Sequence, residues 1–273
     1  MTRRTLIATN VRRVIDAANG KPVIFMGARH DDWRVQTADG FAAKVGGIAS
    51  VSTDANGAWW GGGGVGTMPH SMIASFGGDV VRATLQFARY CRDAALNIDI
   101  VSLTDYHNDV IGDSLAVARA MRDEFGDGAL WGVRVDTSEK LVDRSLQAQA
   151  MRFPERRLNG VCPELIVLLR SALDAEGFQY VRIGVSGGFH GRKIERFEAD
   201  HVPVDFYGVG SSLLGHNDGD IDGLANNFDF TADVVRLNGN AESKVGREER
   251  GNASFIRVDH ELLERLQLTA GAQ

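Results

Sequence analysis

The residues of this 273-residue chain best suited to chemistry fall at the ends of apolar runs. VSGGFHGRKIERF (185–197) and VDFYGVGSS (204–212) each close a β-type run with a turn of glycine and serine. The first turn is Ser186, Gly187 and Gly188; the second holds Gly208, Gly210 and Ser211. Glycine weakens a strand end unless the backbone must turn sharply or approach something closely. Each turn precedes a polar or helical start, so the N–H groups of both could converge on one anion, and a phosphate is the natural ligand. A tight βα turn with a capping serine explains either turn alone. Two of them on successive strands, late in the chain, match the way α/β barrels bind phosphate.

Other runs end in charge. Asp105 closes NIDIVSLTDY and Asp136 follows LWGVRV. A carboxylate at a buried strand end is desolvated unless it meets hydroxyls, a metal or a cation, the plain alternative being an N-cap for the next helix. With the two turns, the pair suits the ring hydroxyls of a ribose or a Mg²⁺ carried on phosphate. Arg29 and Arg134 are strand-end guanidiniums, able to grip an anion in bidentate fashion or to pair with those same aspartates. His70 follows the turn Gly66-Thr67-Met68-Pro69 and starts a helix, a position that favours an anionic modification. A satisfied structural histidine is the alternative. The histidines His107, His190, His201, His216 and His260 show no HExxH or paired spacing, so no protein-only metal site is expected. The Gly61–Gly64 run lacks the spacing of a dinucleotide fingerprint.

These residues need a scaffold that gathers strand ends. Leu6, Val11, Val14, Ile15 and Ala18 recur at helical spacing up to Asn19-Gly20. KPVIFMGAR then reads as a strand, 34–45 as a helix, IASVSTDA as a strand and 71–90 as one helix. The run ending in Asp105 is followed by a helix over 109–125, and the strand of residues 130–136 by a loop with some helix over 139–159. A helix over 163–176, strand YVRIGVSGG, helix 190–199 and strand VDFYGVGSS complete the series. Apolar strands alternating with amphipathic helices indicate a parallel sheet covered on both faces, hence an α/β fold of barrel type. From 216 to 273 the pattern changes: GHNDGDIDG is turn-rich, and DFTADVVRLNGNAESKVGRE reads as an antiparallel hairpin about Asn238-Gly239. We therefore expect a barrel domain over 1–215 and a hairpin and tail over 216–273.

Formal net charge is -6, with 24% charged and 44% hydrophobic residues, which excludes electrostatic capture of nucleic acid or an acidic membrane. Cys91 and Cys162 are far apart and outside any CxxC, and read as reduced, half-buried thiols. The first residues lack the apolar core of a signal peptide, and no run of 18 apolar residues occurs, so a cytoplasmic protein is expected.

GARHDDW, GVGTMPHSMI, VSLTDY, WGVRVDTSE, VSGGFHGRKIERF and PVDFYGVGSSLL, in this order, resemble the C-terminal α/β-barrel domain of nicotinate phosphoribosyltransferases, from about residue 5 to about residue 250. The resemblance implies an irregular, open, TIM-like α/β barrel with a short C-terminal antiparallel hairpin. It implies transfer of phosphoribosyl from 5-phosphoribosyl 1-pyrophosphate (PRPP) to nicotinate, giving nicotinate mononucleotide and pyrophosphate for NAD synthesis. Mg²⁺ would accompany PRPP near Asp105 and Asp136, and ATP would be a co-substrate, its hydrolysis coupled through a phosphorylated His70. By the same resemblance Thr67 contacts substrate, Arg134 binds the nicotinate carboxylate, Arg29 serves the substrate anions, and Asp105 and Asp136 face the ribose hydroxyls. Ser186, Gly187 and Gly188 with Gly208, Gly210 and Ser211 would hold the 5′-phosphate.

Where many relatives carry a second arginine after the GxR motif, this chain has His30. Relatives also place an N-terminal domain ahead of the opening helix, commonly completing the nicotinate pocket across a dimer interface. A homodimer or a partner polypeptide is expected to supply that part here. Transfer to quinolinate or another pyridine, or PRPP binding without turnover, are the other readings.

Overall fold

In the computed structural model, residues 2–215 and 232–251 are described. Ten helices and eight strands lie within them. The strands are β1 (Val23–Phe25), β2 (Ser50–Val51), β3 (Val101–Leu103), β4 (Gly132–Val135), β5 (Arg182–Val185), β6 (Phe206–Val209), β7 (Arg236–Leu237) and β8 (Asn240–Ala241). The helices are α1 (Arg3–Ala17), α2 (Gln36–Gly46), α3 (Asp54–Gly57), α4 (His70–Ser75), α5 (Val80–Asp93), α6 (Val110–Phe125), α7 (Gln147–Arg152), α8 (Pro163–Ala175), α9 (Gly191–Ala199) and α10 (Ser211–Leu214).

Six strands form one parallel sheet in the order β2-β1-β6-β5-β4-β3, curled into a half-barrel. Every pairing in it is parallel, so all six strands deliver their C-terminal ends to the same rim. β2 and β3 are the two edges and do not pair with each other, so the curl stays open, as expected. All four residues of β4 and of β6 are buried, which is why these strands read as largely apolar, with Arg134 the one charged residue among them. Helices cover the sheet with one apolar stripe each; Leu165, Ile166, Leu169 and Leu173 of α8 are fully buried.

The expected helix over 71–90 is two helices. Gly77 and Gly78 both take positive φ, and the Asp79 carboxylate caps α5 by accepting from the Arg82 amide at 2.8 Å. Two left-handed residues followed by an N-cap stop one helix and start another. Consequently α4 is a separate short element with His70 at its first position. Cys91 and Cys162 are free and buried, deeper than the half-buried setting expected, and burial raises both thiol pKa values. GHNDGDIDG from His216 onward, the start of the hairpin and the tail beyond 251, with His260, lie outside the described residues. The hairpin itself forms, with β7 and β8 antiparallel about Asn238-Gly239.

Polar ties at the rim hold its loops. Asn10 of α1 is buried and donates to Gly215 O at 2.9 Å and Leu213 O at 3.3 Å, anchoring the segment after β6. The Asp143 carboxylate accepts from the Val110 amide and from Ser145, while Asn108 donates to Val142 O at 2.8 Å. These bonds fasten the loop after β4 to the loop after β3.

Gly184 in β5 lies directly opposite Phe206 in β6, and a Cβ at Gly184 would fall 2.0 Å from the Phe206 ring. The phenyl ring covers that glycine and tilts against Trp131 at 5.4 Å. Gly184→Ala should therefore cost about 1–3 kcal/mol in urea unfolding by overpacking, and adding Phe206→Leu should recover part of the loss. A variant as stable as the parent would show that Phe206 does not need the glycine.

Candidate functional site

The rim surrounds a cleft of about 700 Å³. Each residue singled out from the sequence contributes to it or borders it: Arg29 and His30 after β1, Thr67 and His70 before and at α4, Arg134 and Asp136 at β4, the Ser186–Gly188 turn after β5, and Gly208, Gly210 and Ser211 at β6. Asp105, after β3, lies beneath the cleft, fully buried, and reaches it through His70.

Register explains the central contacts. Val135 of β4 pairs with Val185 of β5, so the next residues, Asp136 and Ser186, stand side by side. The Ser186 hydroxyl donates to Asp136 Oδ1 at 2.6 Å and accepts from Arg134 Nη1 at 2.8 Å. Arg134 Nη2 donates to Met68 O at 2.8 Å, tying the turn before α4 to β4. Arg134 is buried, and its guanidinium meets a hydroxyl and a carbonyl, with no carboxylate bonded to it among the described residues. The alternative of an ion pair between Arg134 and the two aspartates is therefore not realised. A buried cation without an anionic partner carries an uncompensated desolvation cost, which an incoming anion relieves.

The glycines of the two turns serve different needs. Gly187 and Gly188 adopt φ of +81° and +71°, the left-handed region that glycine enters without strain. Gly208 and Gly210 allow close packing: a Cβ at either would lie 2.6 Å from Met26. Both turns line the same cleft, as the phosphate cradle requires. Glu139 borders it too; a Cβ at Gly188 would come within 2.4 Å of its carboxylate, which is mostly exposed and faces Lys193 at 3.8 Å.

Asp105 is the hub of a second cluster. His70 Nε2 lies 2.8 Å from Asp105 Oδ1, and the Lys244 ammonium bonds Asp105 Oδ2 and reaches Asp136 O at 3.3 Å. Burial, the largest single effect, pushes the Asp105 carboxyl up. The His70 hydrogen bond and the charges of His70 and Lys244 outweigh it and leave the pKa at about 2. An ionised carboxylate only accepts, so His70 Nε2 must carry the proton; in the neutral ring Nδ1 is then the basic nitrogen.

The sequence offered no sign of Lys244. It follows β8 in a polar stretch with no strand-end position to mark it, and it meets Asp105 across 139 residues of chain. Its neighbours hold it there: Tyr106 donates its hydroxyl to Glu242 at 2.7 Å and accepts the Val245 amide on its carbonyl at 3.0 Å. Thr137 Oγ1 is likewise buried at the cleft, with no hydrogen-bond partner among the described residues.

His70, Asp105 and Asp136 bring one possible ligand atom each within 4.8 Å of one another. They do not fit a protein-held divalent cation as arranged. Both Asp105 oxygens are engaged by His70 and Lys244, one Asp136 oxygen by Ser186, and an ammonium stands beside the group.

No family model matches the sequence. A nicotinate phosphoribosyltransferase of Mycobacterium tuberculosis, pncB1, is 30% identical over 212 residues, which is 77% of this chain and 41% of that protein. The chain is a relative of the nicotinate phosphoribosyltransferases. A second such protein of that organism, pncB2, is 27% identical over 247 residues, 88% of this chain and 44% of its own. Among solved structures, a nicotinate-nucleotide pyrophosphorylase from Pyrococcus furiosus superposes with a TM-score of 0.62 at 28% identity, covering 92% of this chain and 55% of that one. The chain thus spans less than half the length of the curated nicotinate phosphoribosyltransferases it matches. Among the described residues no helix is long and apolar enough to cross a membrane.

The Asp105 contribution to stability is complete above the ordinary carboxylate pKa of about 4 and is lost as pH falls towards about 2. Lys244→Met removes one of the charges that hold the group ionised and so raises its pKa. The acid-unfolding midpoint of that variant, followed by circular dichroism, should move to higher pH than in the parent. An unchanged midpoint would show that Lys244 does not stabilise the Asp105 anion.

Proposed function

We propose that this chain is the catalytic barrel of a nicotinate phosphoribosyltransferase-type enzyme, acting in NAD synthesis with nicotinate and PRPP as substrates. The observation that carries the reading is the buried Arg134 guanidinium, unpaired with any carboxylate among the described residues, beside two glycine turns on one cleft. Such a cleft suits a substrate pair that brings several anionic groups. Arg134 takes the nicotinate carboxylate, the Ser186–Gly188 and Gly208–Ser211 turns take the 5′-phosphate, and Asp136 faces the ribose hydroxyls. Arg29 and Thr67, exposed at the mouth, meet the remaining substrate anions. Identity to relatives that carry this name supports the assignment.

In the reaction the nicotinate ring nitrogen attacks the anomeric carbon, the bond from that carbon to pyrophosphate breaks, and its electron pair leaves on pyrophosphate. No protein nucleophile is needed for this step; positioning and charge stabilisation carry it. Mg²⁺ enters on the phosphates of PRPP. ATP is a co-substrate in this reading: His70 Nδ1 attacks the γ-phosphorus, the bond to the ADP oxygen breaks, and Asp105 holds the Nε2 proton and steadies the ring. The protein works in the cytoplasm, and a second copy or a partner polypeptide completes the nicotinate pocket.

The test is chromatographic detection of nicotinate mononucleotide after incubating the chain with nicotinate, PRPP, Mg²⁺ and ATP. Arg134→Ala should lower kcat/KM for nicotinate on the order of a hundredfold, whereas His70→Ala should abolish ATP hydrolysis. Product formation indifferent to Arg134→Ala would remove that residue from the pocket. PRPP binding by a folded chain that forms no product would instead identify a binding subunit without turnover.

A further inference from the structure

Lys244 stands beside a group of possible metal ligands at the cleft. Its buried ammonium touches Asp105 Oδ2 and Asp136 O, within the cluster whose His70, Asp105 and Asp136 ligand atoms lie within 4.8 Å of one another. We propose that Lys244 is the resident cation of this cluster, standing in for a protein-bound divalent ion, so that the free protein has no divalent-cation site there.

Charge balance supports this. Within the cluster the Asp105 carboxylate is already met on one oxygen by the Lys244 ammonium and on the other by His70 Nε2. A divalent ion added beside that ammonium would bring further positive charge into a buried, low-dielectric setting, where like charges repel strongly. Ligand count supports it as well: a metal would have to displace the bonds of His70 and Lys244 to Asp105, and that of Ser186 to Asp136. Nor is Lys244 a stray side chain that a metal could push aside at small cost. Glu242 is fastened to the Tyr106 hydroxyl, Val245 to the Tyr106 carbonyl, and the Arg247 amide to Lys244 O at 2.9 Å. Tyr106 follows Asp105 directly, so the segment that carries Asp105 also anchors the one that carries Lys244. Lys244 acts as a positioning residue: it keeps Asp105 ionised and aimed at His70 Nε2.

The direct test is a Mn²⁺ titration of the full chain without any other ligand, with free Mn²⁺ read by electron paramagnetic resonance. The parent should bind no Mn²⁺ at this cluster. Lys244→Met should gain one site, at least about tenfold tighter than anything in the parent, and Asp105→Asn/Lys244→Met should lose it again. A parent that binds one Mn²⁺ as tightly as Lys244→Met would overturn the proposal. Because Lys244→Met leaves Asp105 short of a counter-charge and could fail to fold, a second measurement uses only the parent protein: acetylation of Lys244 by acetic anhydride, mapped by mass spectrometry with and without Mg²⁺. Labelling unchanged by Mg²⁺ supports the resident ammonium; labelling increased by Mg²⁺ means the metal ejects it and overturns the proposal. Neither readout involves nicotinate or PRPP, so their outcome is separate from that of the transfer reaction.

Discussion

A carboxylate with no access to water sits at the centre of this structure. Asp105 follows β3 and is fully buried, a setting that penalises its charge heavily unless cations and donors surround it. Two groups do so from opposite directions in the chain: His70 at the start of α4 and Lys244 beyond β8. The need to satisfy this one anion draws together a short helix, a strand end and the segment after the hairpin. The orientation of the His70 ring follows from it, since an acceptor-only partner dictates which nitrogen bears the proton.

The second constraint is register. A parallel sheet places the C-terminal ends of all its strands on one rim, and the pairing of Val135 with Val185 sets Asp136 beside Ser186 and Arg134 within reach of both Ser186 and Met68 O. Slipping that register by one residue would exchange the residues on the two buried faces of β4 and take Arg134 off the cleft side. The same packing that stabilises the core therefore fixes the geometry of the anion-binding side of the cleft. Asn10 and Asp143, far from the chemistry, secure the loops on either side.

Much of this was legible in the chain itself. β4 and β6 are buried on both faces and so show as largely apolar runs, with Arg134 the one charge inside β4, and the residues that follow or end them, Asp136 and the Gly208–Ser211 turn, do reach the rim. The break between α4 and α5 was legible too, in Gly77-Gly78-Asp79, but the helical periodicity on either side concealed it. The depth of Cys91 and Cys162 depends on which helix face packs inward and on what covers it, so their spacing alone underestimated it.

The sequence by itself determined the alternation of strands and helices, the strand-end placement of Arg134, Asp105, Asp136 and the two glycine turns, and the similarity to nicotinate phosphoribosyltransferases. These depend on local propensity and on periodicities of two and 3.6 residues, which short windows record. Only the tertiary structure decided that Arg134 bonds Ser186 rather than an aspartate, that Asp105 is held by His70 and Lys244, and that Lys244 belongs to the site at all. An ion pair across 139 residues leaves no trace in any window of the chain, because it is set by how separate elements pack around a buried charge.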